Sequence, residues 1–179
     1  MSVPHPQDDS AASAAHLLSA MKPEIERWGS GEDIDIQTLY QGALQSAGAI
    51  PILTAAFLHY EDSTLSVYLK VLTFLWKDLP FTAWKEILYR ISGSGQAVYQ
   101  FVWFTATFLR LDVLSIIKSD PNVGDAARER IAVDFPNGAP GYSNWEKDVL
   151  EEDGVDPVAL WHRLESEGAP MRVAPYDLH

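Results

Sequence analysis

The chain has 179 residues, 47% of them hydrophobic, and its 25 Asp and Glu against 13 Lys and Arg give a formal net charge of −12 at pH 7. That length is typical of a single domain with its own core, and this hydrophobic content excludes a mostly disordered protein. The absence of cysteine excludes disulfides, a thiolate nucleophile and cysteine-ligated metal sites, and it favours a cytoplasmic location.

Charge and aromatic residues are segregated along the chain. Residues 49–120 contain six Lys/Arg and six Asp/Glu, whereas residues 1–48 carry a net charge of −5 and residues 121–179 a net charge of −7. The neutral centre holds 13 of the 20 aromatic residues. We therefore expect an apolar core over 49–120 under a negative surface. Such a surface disfavours nucleic acid and anionic membranes as partners and favours basic proteins.

The N-terminal part is predicted to be helical after a flexible leader over 1–9. This leader has neither a basic segment nor an apolar run, so it does not resemble a signal peptide. Apolar residues spaced three and four apart predict a helix from Ser10, and Pro23 is expected to interrupt it or to open a second short turn. Asp33 or Asp35 then caps a helix that Gly48 ends.

The centre contains two similar pairs, each a short helix followed by a longer one. The first pair is predicted over 51–60 and 64–77, and the second over 80–89 and 96–117. The longest helix contains Arg110 and Asp112, so a buried helix kinked near Asp112 is expected in place of a membrane span. The two copies, with Pro51 and Pro80 29 residues apart, suggest stacked α-hairpins, although most helical-hairpin repeats are longer.

The C-terminal part is predicted to hold three short helices. A charged helix over 126–133 precedes a turn-rich segment over 135–141, and the capping-box sequence of Ser143 and Glu146 opens an acidic helix that reaches 152. Asp156 caps the last helix, which ends near Gly168, and residues 169–179 are predicted to be an irregular tail. No segment alternates with period two. The predicted fold is therefore an all-α, single-domain bundle of about seven to nine helices over 10–168, with acidic C-terminal helices over 143–168.

No motif for catalysis, a metal or a cofactor stands out. None of the five histidines belongs to an H-E-x-x-H or His-x-x-His pattern, and His59 beside Glu61 and Asp62 is typical of a solvated helix end. The Ser-Gly-Ser-Gly sequence over 92–95 does not fit a nucleophile elbow. The segment from Asp120 resembles the start of a calcium loop, but Asp125 stands where that loop needs glycine, so a tight turn is predicted. An enzyme is not expected.

The acidic C-terminal part is the strongest candidate site. It combines two large aromatic residues with six carboxylates: Trp145, Glu146, Asp148, Glu151, Glu152, Asp153, Asp156 and Trp161. An aromatic anchor surrounded by acidic groups is the composition expected where a basic protein docks. The structural alternative is that both tryptophans face the core and that the carboxylates are only solvated.

Three functions are compatible with this sequence. The first is an acidic binding protein that neutralises a basic partner, of the class represented by bacterial immunity proteins that inhibit a cognate toxin. The second is a small-molecule binder or enzyme with an aromatic pocket between helices, built from Tyr60, Tyr68, Trp76, Trp84, Tyr89, Tyr99 and Trp103. The third is a helical scaffold or regulatory subunit. The oligomeric state is left open.

Overall fold

The structure is a computed structural model that describes residues 6–59, 65, 68, 76–139, 145–152 and 154–172. Within these residues there are nine α-helices and no β-strand, apart from an isolated antiparallel bridge between Leu111 and Met171. The prediction of an all-α bundle of seven to nine helices is confirmed. The chain forms two compact units, Met1–Trp76 (unit 1) and Lys77–His179 (unit 2).

Unit 1 begins with a long helix that continues through a proline. Helix α1 spans Pro6–Gly29 and so begins inside the segment expected to be a leader. The predicted interruption at Pro23 is wrong. A proline within a helix costs about 3 kcal/mol, but one apolar stripe continues through it at spacings of four, three and four residues. The members of that stripe, which are fully buried, are Ala14, Leu18, Met21 and Ile25. Burial of one continuous face therefore outweighs the local break.

Helices α2, Ile36–Ala47, and α3, Ala49–His59, follow in unit 1. Asp35 caps α2 as predicted, because its carboxylate accepts a hydrogen bond from the Thr38 amide at 3.0 Å. A further hydrogen bond from the Thr38 hydroxyl is the main reason that the pKa of Asp35 is lowered. Gly48 separates α2 from α3 with a φ of 87°, a conformation that glycine adopts without strain.

The helix predicted over 64–77 lies mostly outside the described residues, so the proposed α-hairpin repeat stays a prediction. Leu65 and Tyr68 are helical and buried, and the Tyr68 hydroxyl donates to the Leu18 carbonyl of α1. No single described helix has both the length and the hydropathy to cross a membrane; α2 and α3 meet the criterion only together, with a bend of 105° between them.

The described part of unit 2 contains six helices, one of which is central. They are α4, Phe81–Ile91; α5, Gly95–Phe108; α6, Val113–Ser119; α7, Asp125–Asp134; α8, Trp145–Glu152; and α9, Pro157–Ser166. Helix α5 packs against α4, α6, α7 and α8, which agrees with the apolar residues found nearly all round it in the sequence. The α7 and α9 positions match the predicted helices to within one or two residues, and α8 begins at residue 145.

Residues 109–112 divide the single helix that was predicted over 96–117. Arg110 has a φ of 58°, a left-handed conformation that costs about 1–2 kcal/mol for a residue with a side chain. The Leu111 amide then donates back to the Thr105 carbonyl at 3.0 Å. The kink predicted near Asp112 is therefore a complete break at that place, and α5 and α6 are separate elements in place of one kinked helix over 96–117.

Backbone partners from the C-terminal part stabilise this break. The Arg172 amide donates to the Arg110 carbonyl at 2.8 Å, and the Asp112 amide donates to the Pro170 carbonyl at 2.6 Å. These bonds satisfy polar groups that the interrupted helix leaves without an intrahelical partner. The first residues of the predicted irregular tail thus have a defined place in unit 2.

Candidate functional site

The acidic helices α8 and α9 are anchored in unit 2 by their inner sides. Their buried apolar residues, with those of the turn between them, are Leu150, Val155, Pro157, Leu160 and Leu164. Asp156 caps α9, because one oxygen of its carboxylate accepts hydrogen bonds from the Val158 and Ala159 amides at 3.0 and 3.2 Å. The predicted cap is confirmed, and both helices present their outer sides from fixed positions.

The carboxylates of the predicted site lie on those outer sides. The described ones, all exposed, are Asp148, Glu151, Glu152 and Asp156. Neither Asp148 nor Glu152 forms an ion pair with a described residue. The side chains of Trp145 and Glu146, and all of Asp153, lie outside the described residues. Over 145–168 the sequence has eight Asp/Glu against two Lys/Arg, a net charge of −6, so this part of unit 2 is strongly negative.

Arg163 of α9 contributes structure within unit 2. Its Nη1 lies 2.8 Å from a carboxylate oxygen of Glu167, and its Nη2 donates to the carbonyls of Lys77 and Leu79 at 2.9 and 3.2 Å. The other oxygen of Glu167 accepts a hydrogen bond from the Phe81 amide at 2.8 Å. This cluster joins the end of α9 to the start of α4, and Arg163 is paired within it with Glu167.

Trp161 does not lie on this surface. Its side chain is only 8% exposed, and its indole Nε1 is buried without a hydrogen-bond partner in the described part of the chain. The interpretation of Trp161 as an exposed aromatic anchor is therefore corrected: the apolar stripe of α9 places it among the core residues of unit 2. The structural alternative holds for this tryptophan, while the four described carboxylates are solvent-exposed.

A different carboxylate, Asp120, closes the turn between α6 and α7. One of its oxygens accepts a hydrogen bond from the Tyr89 hydroxyl at 2.6 Å, and the other accepts from the Asn122 amide at 2.9 Å. The bond from Tyr89 is the main reason that the pKa of Asp120 is lowered. Burial, and then the bond to Asp120, raise the pKa of Tyr89 to about 12. The segment is the tight turn that the sequence predicts, with its carboxylate committed to holding it.

A cleft with aromatic walls lies at the C-terminal end of α7. Its volume is about 290 Å³, and it is lined by Tyr99 and Trp103 of α5, by Asp134 at the end of α7 and by the turn over 135–138. The Tyr99 and Phe135 rings are stacked with centroids 5.5 Å apart, and Trp103 is 43% exposed. The sequence analysis overlooked Asp134 and Phe135, although the turn-rich segment that begins at Phe135 was visible.

Arg130 of α7 holds the wall of this cleft in place. Its guanidinium pairs with Asp134, donates to the Gln96 side chain at 3.1 Å and lies 5.4 Å from the centre of the Tyr99 ring. Its methylene groups lie over Gly95, where an added Cβ would come within 3.4 Å of them. Several partners thus fix the arginine, and the arginine in turn fixes Tyr99 and the carboxylate of Asp134.

The seven aromatic residues predicted to form one pocket are dispersed. Only Tyr99 and Trp103 line the cleft; Tyr68 is buried in unit 1, and Tyr89 bonds to Asp120. Trp84 is a core residue of unit 2, packed against two phenylalanines of α5. Trp76 lies in a turn, and Tyr60 is outside the described residues. The aromatic site found among the described residues is therefore an open cleft at a helix end, lined by two of the seven predicted aromatic residues.

Among the described residues, no group of three or more His, Asp or Glu is arranged to hold a metal ion. Comparison with known proteins finds no match to any family model, curated protein or solved structure. Function is therefore argued from two surfaces of unit 2: the exposed carboxylates of α8 and α9 (the acidic surface) and the cleft at the end of α7 (the aromatic cleft).

Proposed function

We propose that this protein binds a basic protein partner through the acidic surface and inhibits it, in the manner of bacterial immunity proteins that block a cognate toxin. The observation that supports the proposal is the rigid presentation of carboxylates. Helices α8 and α9 are anchored by buried apolar residues and by the Asp156 cap, and Asp148 and Glu152 lack a cationic partner among the described residues. Because the helices that carry them are already ordered, these charges can attract a partner without a cost in backbone freedom.

The expected mode of recognition is electrostatic steering. A net charge of −12 produces a negative field, and such fields raise the association rate with cationic proteins by one to three orders of magnitude at low ionic strength. Because Trp161 is buried, the partner does not gain a large aromatic anchor from it. The complex should therefore form quickly and weaken strongly with salt. Bound in this way, acidic helices would cover a cleft where a basic enzyme normally holds phosphate or another anion.

The first experiment captures the partner from the native host at low salt and measures association rates with the purified pair. The test variant is the double charge reversal E151K/E152K on the acidic surface. The matched control is D33K/E129K, which changes the net charge equally at exposed positions of α7 and of the segment before α2. At low salt the test variant should associate about tenfold more slowly than wild type, and the control by less than about twofold.

Three results would contradict the proposal. Equal slowing by both double variants would mean that total charge acts without a defined surface. An unchanged rate for E151K/E152K would remove the acidic surface from the interaction altogether. A partner without a basic surface would equally exclude the proposed mode, since α8 and α9 would then offer it no electrostatic complement.

A second candidate function, the binding of a small molecule, is favoured by one specific observation. The aromatic cleft of about 290 Å³ brings Tyr99 and Trp103 together with the carboxylate of Asp134. That size is close to the lower limit for small-molecule sites, and such sites combine apolar walls with a few placed polar groups. This function is independent of the acidic surface, since the cleft is built from α5, α7 and the turn that follows α7.

A further inference from the structure

The aromatic cleft has a consistent electrostatic character that indicates the class of its ligand. Three features each favour a positive charge: the faces of aromatic rings, a carboxylate and the C-terminal end of a helix. Each can be traced to described residues of unit 2, and together they decide between neutral, anionic and cationic ligands.

The first feature is the exposed tryptophan. Trp103 is 43% exposed and lines the cleft beside the stacked rings of Tyr99 and Phe135. The negative face of an indole attracts a cation more strongly than any other natural side-chain ring does. The Arg130 guanidinium, 5.4 Å from the centre of the Tyr99 ring, is an example of that attraction within the same wall.

The second feature is the carboxylate of Asp134. Its Oδ2 pairs with the Nε of Arg130, whereas its Oδ1 accepts no hydrogen bond from a described residue. Because Arg130 is itself bonded to Gln96 and does not line the cleft, Asp134 is fixed in place with one oxygen available to a ligand. Asp134 is the only charged residue among those that line the cleft in the described part of the chain.

The third feature is the position of the cleft at the end of α7. Asp134 is the last residue of that helix, and residues 135–138 form the adjoining wall. The C-terminal end of a helix carries a partial negative charge from carbonyl groups without intrahelical partners, and cations are stabilised there. An anionic ligand would therefore meet unfavourable charge from the helix end, and the described lining offers it no cation, since Arg130 is paired with Asp134 and does not line the cleft.

The size of the cleft and the hydration of candidate cations further restrict the class of ligand. A cleft of about 290 Å³ has room for a small molecule, on the order of ten non-hydrogen atoms. A metal ion or a primary ammonium is strongly hydrated and gains little from aromatic walls, whereas a methylated ammonium loses its water readily and is the typical ligand of aromatic cages.

We propose that the aromatic cleft binds a small, free organic cation with a quaternary or methylated ammonium group, which Trp103 and Asp134 contact directly. This inference rests on the second candidate function and names its ligand class. It does not depend on the acidic surface or on the protein partner.

The test titrates the full-length protein with choline and with its neutral isostere, 3,3-dimethylbutan-1-ol, by calorimetry and by NMR of the Trp103 indole. Choline should bind about tenfold more tightly than the isostere, because the two differ in charge and share the same shape. Trp103→Ala should weaken choline binding about tenfold, and Trp103→Phe by less. Val133→Ala is the control: Val133 is 76% exposed on α7 and does not line the cleft, so binding should not change.

The possible outcomes of these titrations refute different parts of the inference. Equal affinity for choline and the isostere would refute the cationic class while leaving small-molecule binding in place. Absence of binding by both would refute the inference, while the second candidate function would still hold for small molecules of other shapes. A trimethyllysine peptide that binds more than tenfold tighter than choline would refute a free ligand in favour of a modified protein side chain.

A further variant tests the contact with Asp134. Asp134→Asn should weaken choline binding and leave binding of the isostere unaffected. An effect on both would indicate that Asp134 only supports the wall of the cleft.

Discussion

The acidic surface and the aromatic cleft are both negative, but their charges come from different sources. On the acidic surface the charge belongs to solvated carboxylates on two helices, and the aromatic residue of α9, Trp161, is buried beneath them. In the cleft a single carboxylate, Asp134, acts together with ring faces and a helix end. The first arrangement is suited to long-range attraction of a large basic partner, and the second to short-range selection of a small cation.

The largest expected effect on stability comes from replacing each of the two tryptophans by alanine and comparing the results. Trp161→Ala should lower the free energy of unfolding by about 3–5 kcal/mol, because it leaves a cavity in the core of unit 2. Trp103→Ala removes a half-exposed ring and should cost less than about 1 kcal/mol. Chemical denaturation followed by circular dichroism measures both. Similar losses for the two variants would mean that Trp103 is as structural as Trp161, which would end the contrast between the surfaces.

A smaller effect separates the two roles of Asp156. Asp156→Ala removes both the charge and the N-cap of α9, and it should lower the free energy of unfolding by about 1 kcal/mol. Asp156→Ser keeps a capping oxygen without the charge, so stability should stay near that of wild type. If the partner binds through the acidic surface, both variants should slow its association at low salt. Equal stability of the two variants would show that the observed cap contributes little.

The smallest expected effect is on the stability at alkaline pH, through the hydrogen bond between Tyr89 and Asp120. Asp120 is bound within a turn, whereas the carboxylates of the acidic surface are exposed to solvent. Since burial and Asp120 raise the pKa of Tyr89 from 10.0 to about 12, folding favours its neutral hydroxyl. That contribution to stability is complete below pH 10 and is lost as the pH rises toward 12. Denaturation of wild type and Tyr89→Phe at pH 9 and pH 11.5 should show a decline that the variant largely lacks. Parallel declines in both proteins would assign the alkaline loss to other groups.

The aromatic pattern of the sequence left open which residues reach the surface. Trp103 and Trp161 both lie on apolar helix faces, and the composition of the C-terminal part allowed Trp161 to be either an exposed anchor or a core residue. The structure buries Trp161, since α9 packs its stripe inward, and leaves Trp103 of α5 half exposed. Exposure depends on which helices pack together, and a helical stripe does not specify its neighbour.

Some backbone features have local causes and could be predicted from the sequence, whereas others depend on residues that are distant in the chain. The Asp35 and Asp156 caps and the bounds of α7 were predicted, because each depends on residues within one turn of the helix end. The passage of α1 through Pro23 was predicted wrongly, and the kink expected near Asp112 is a complete break that begins at Arg110. Packing of a buried stripe decides the first, and backbone hydrogen bonds with Pro170 and Arg172 stabilise the second.

The sequence by itself determined an all-α chain with capped helices, an apolar centre and acidic ends, since periodicity, capping residues and charge counts are properties of nearby residues. Only the tertiary structure decided that Trp161 is buried, that the longest predicted helix is two helices, and that Tyr99, Trp103 and Asp134 meet in one cleft. These outcomes depend on residues some 30 to 60 positions apart whose packing and hydrogen bonds outweigh local preference.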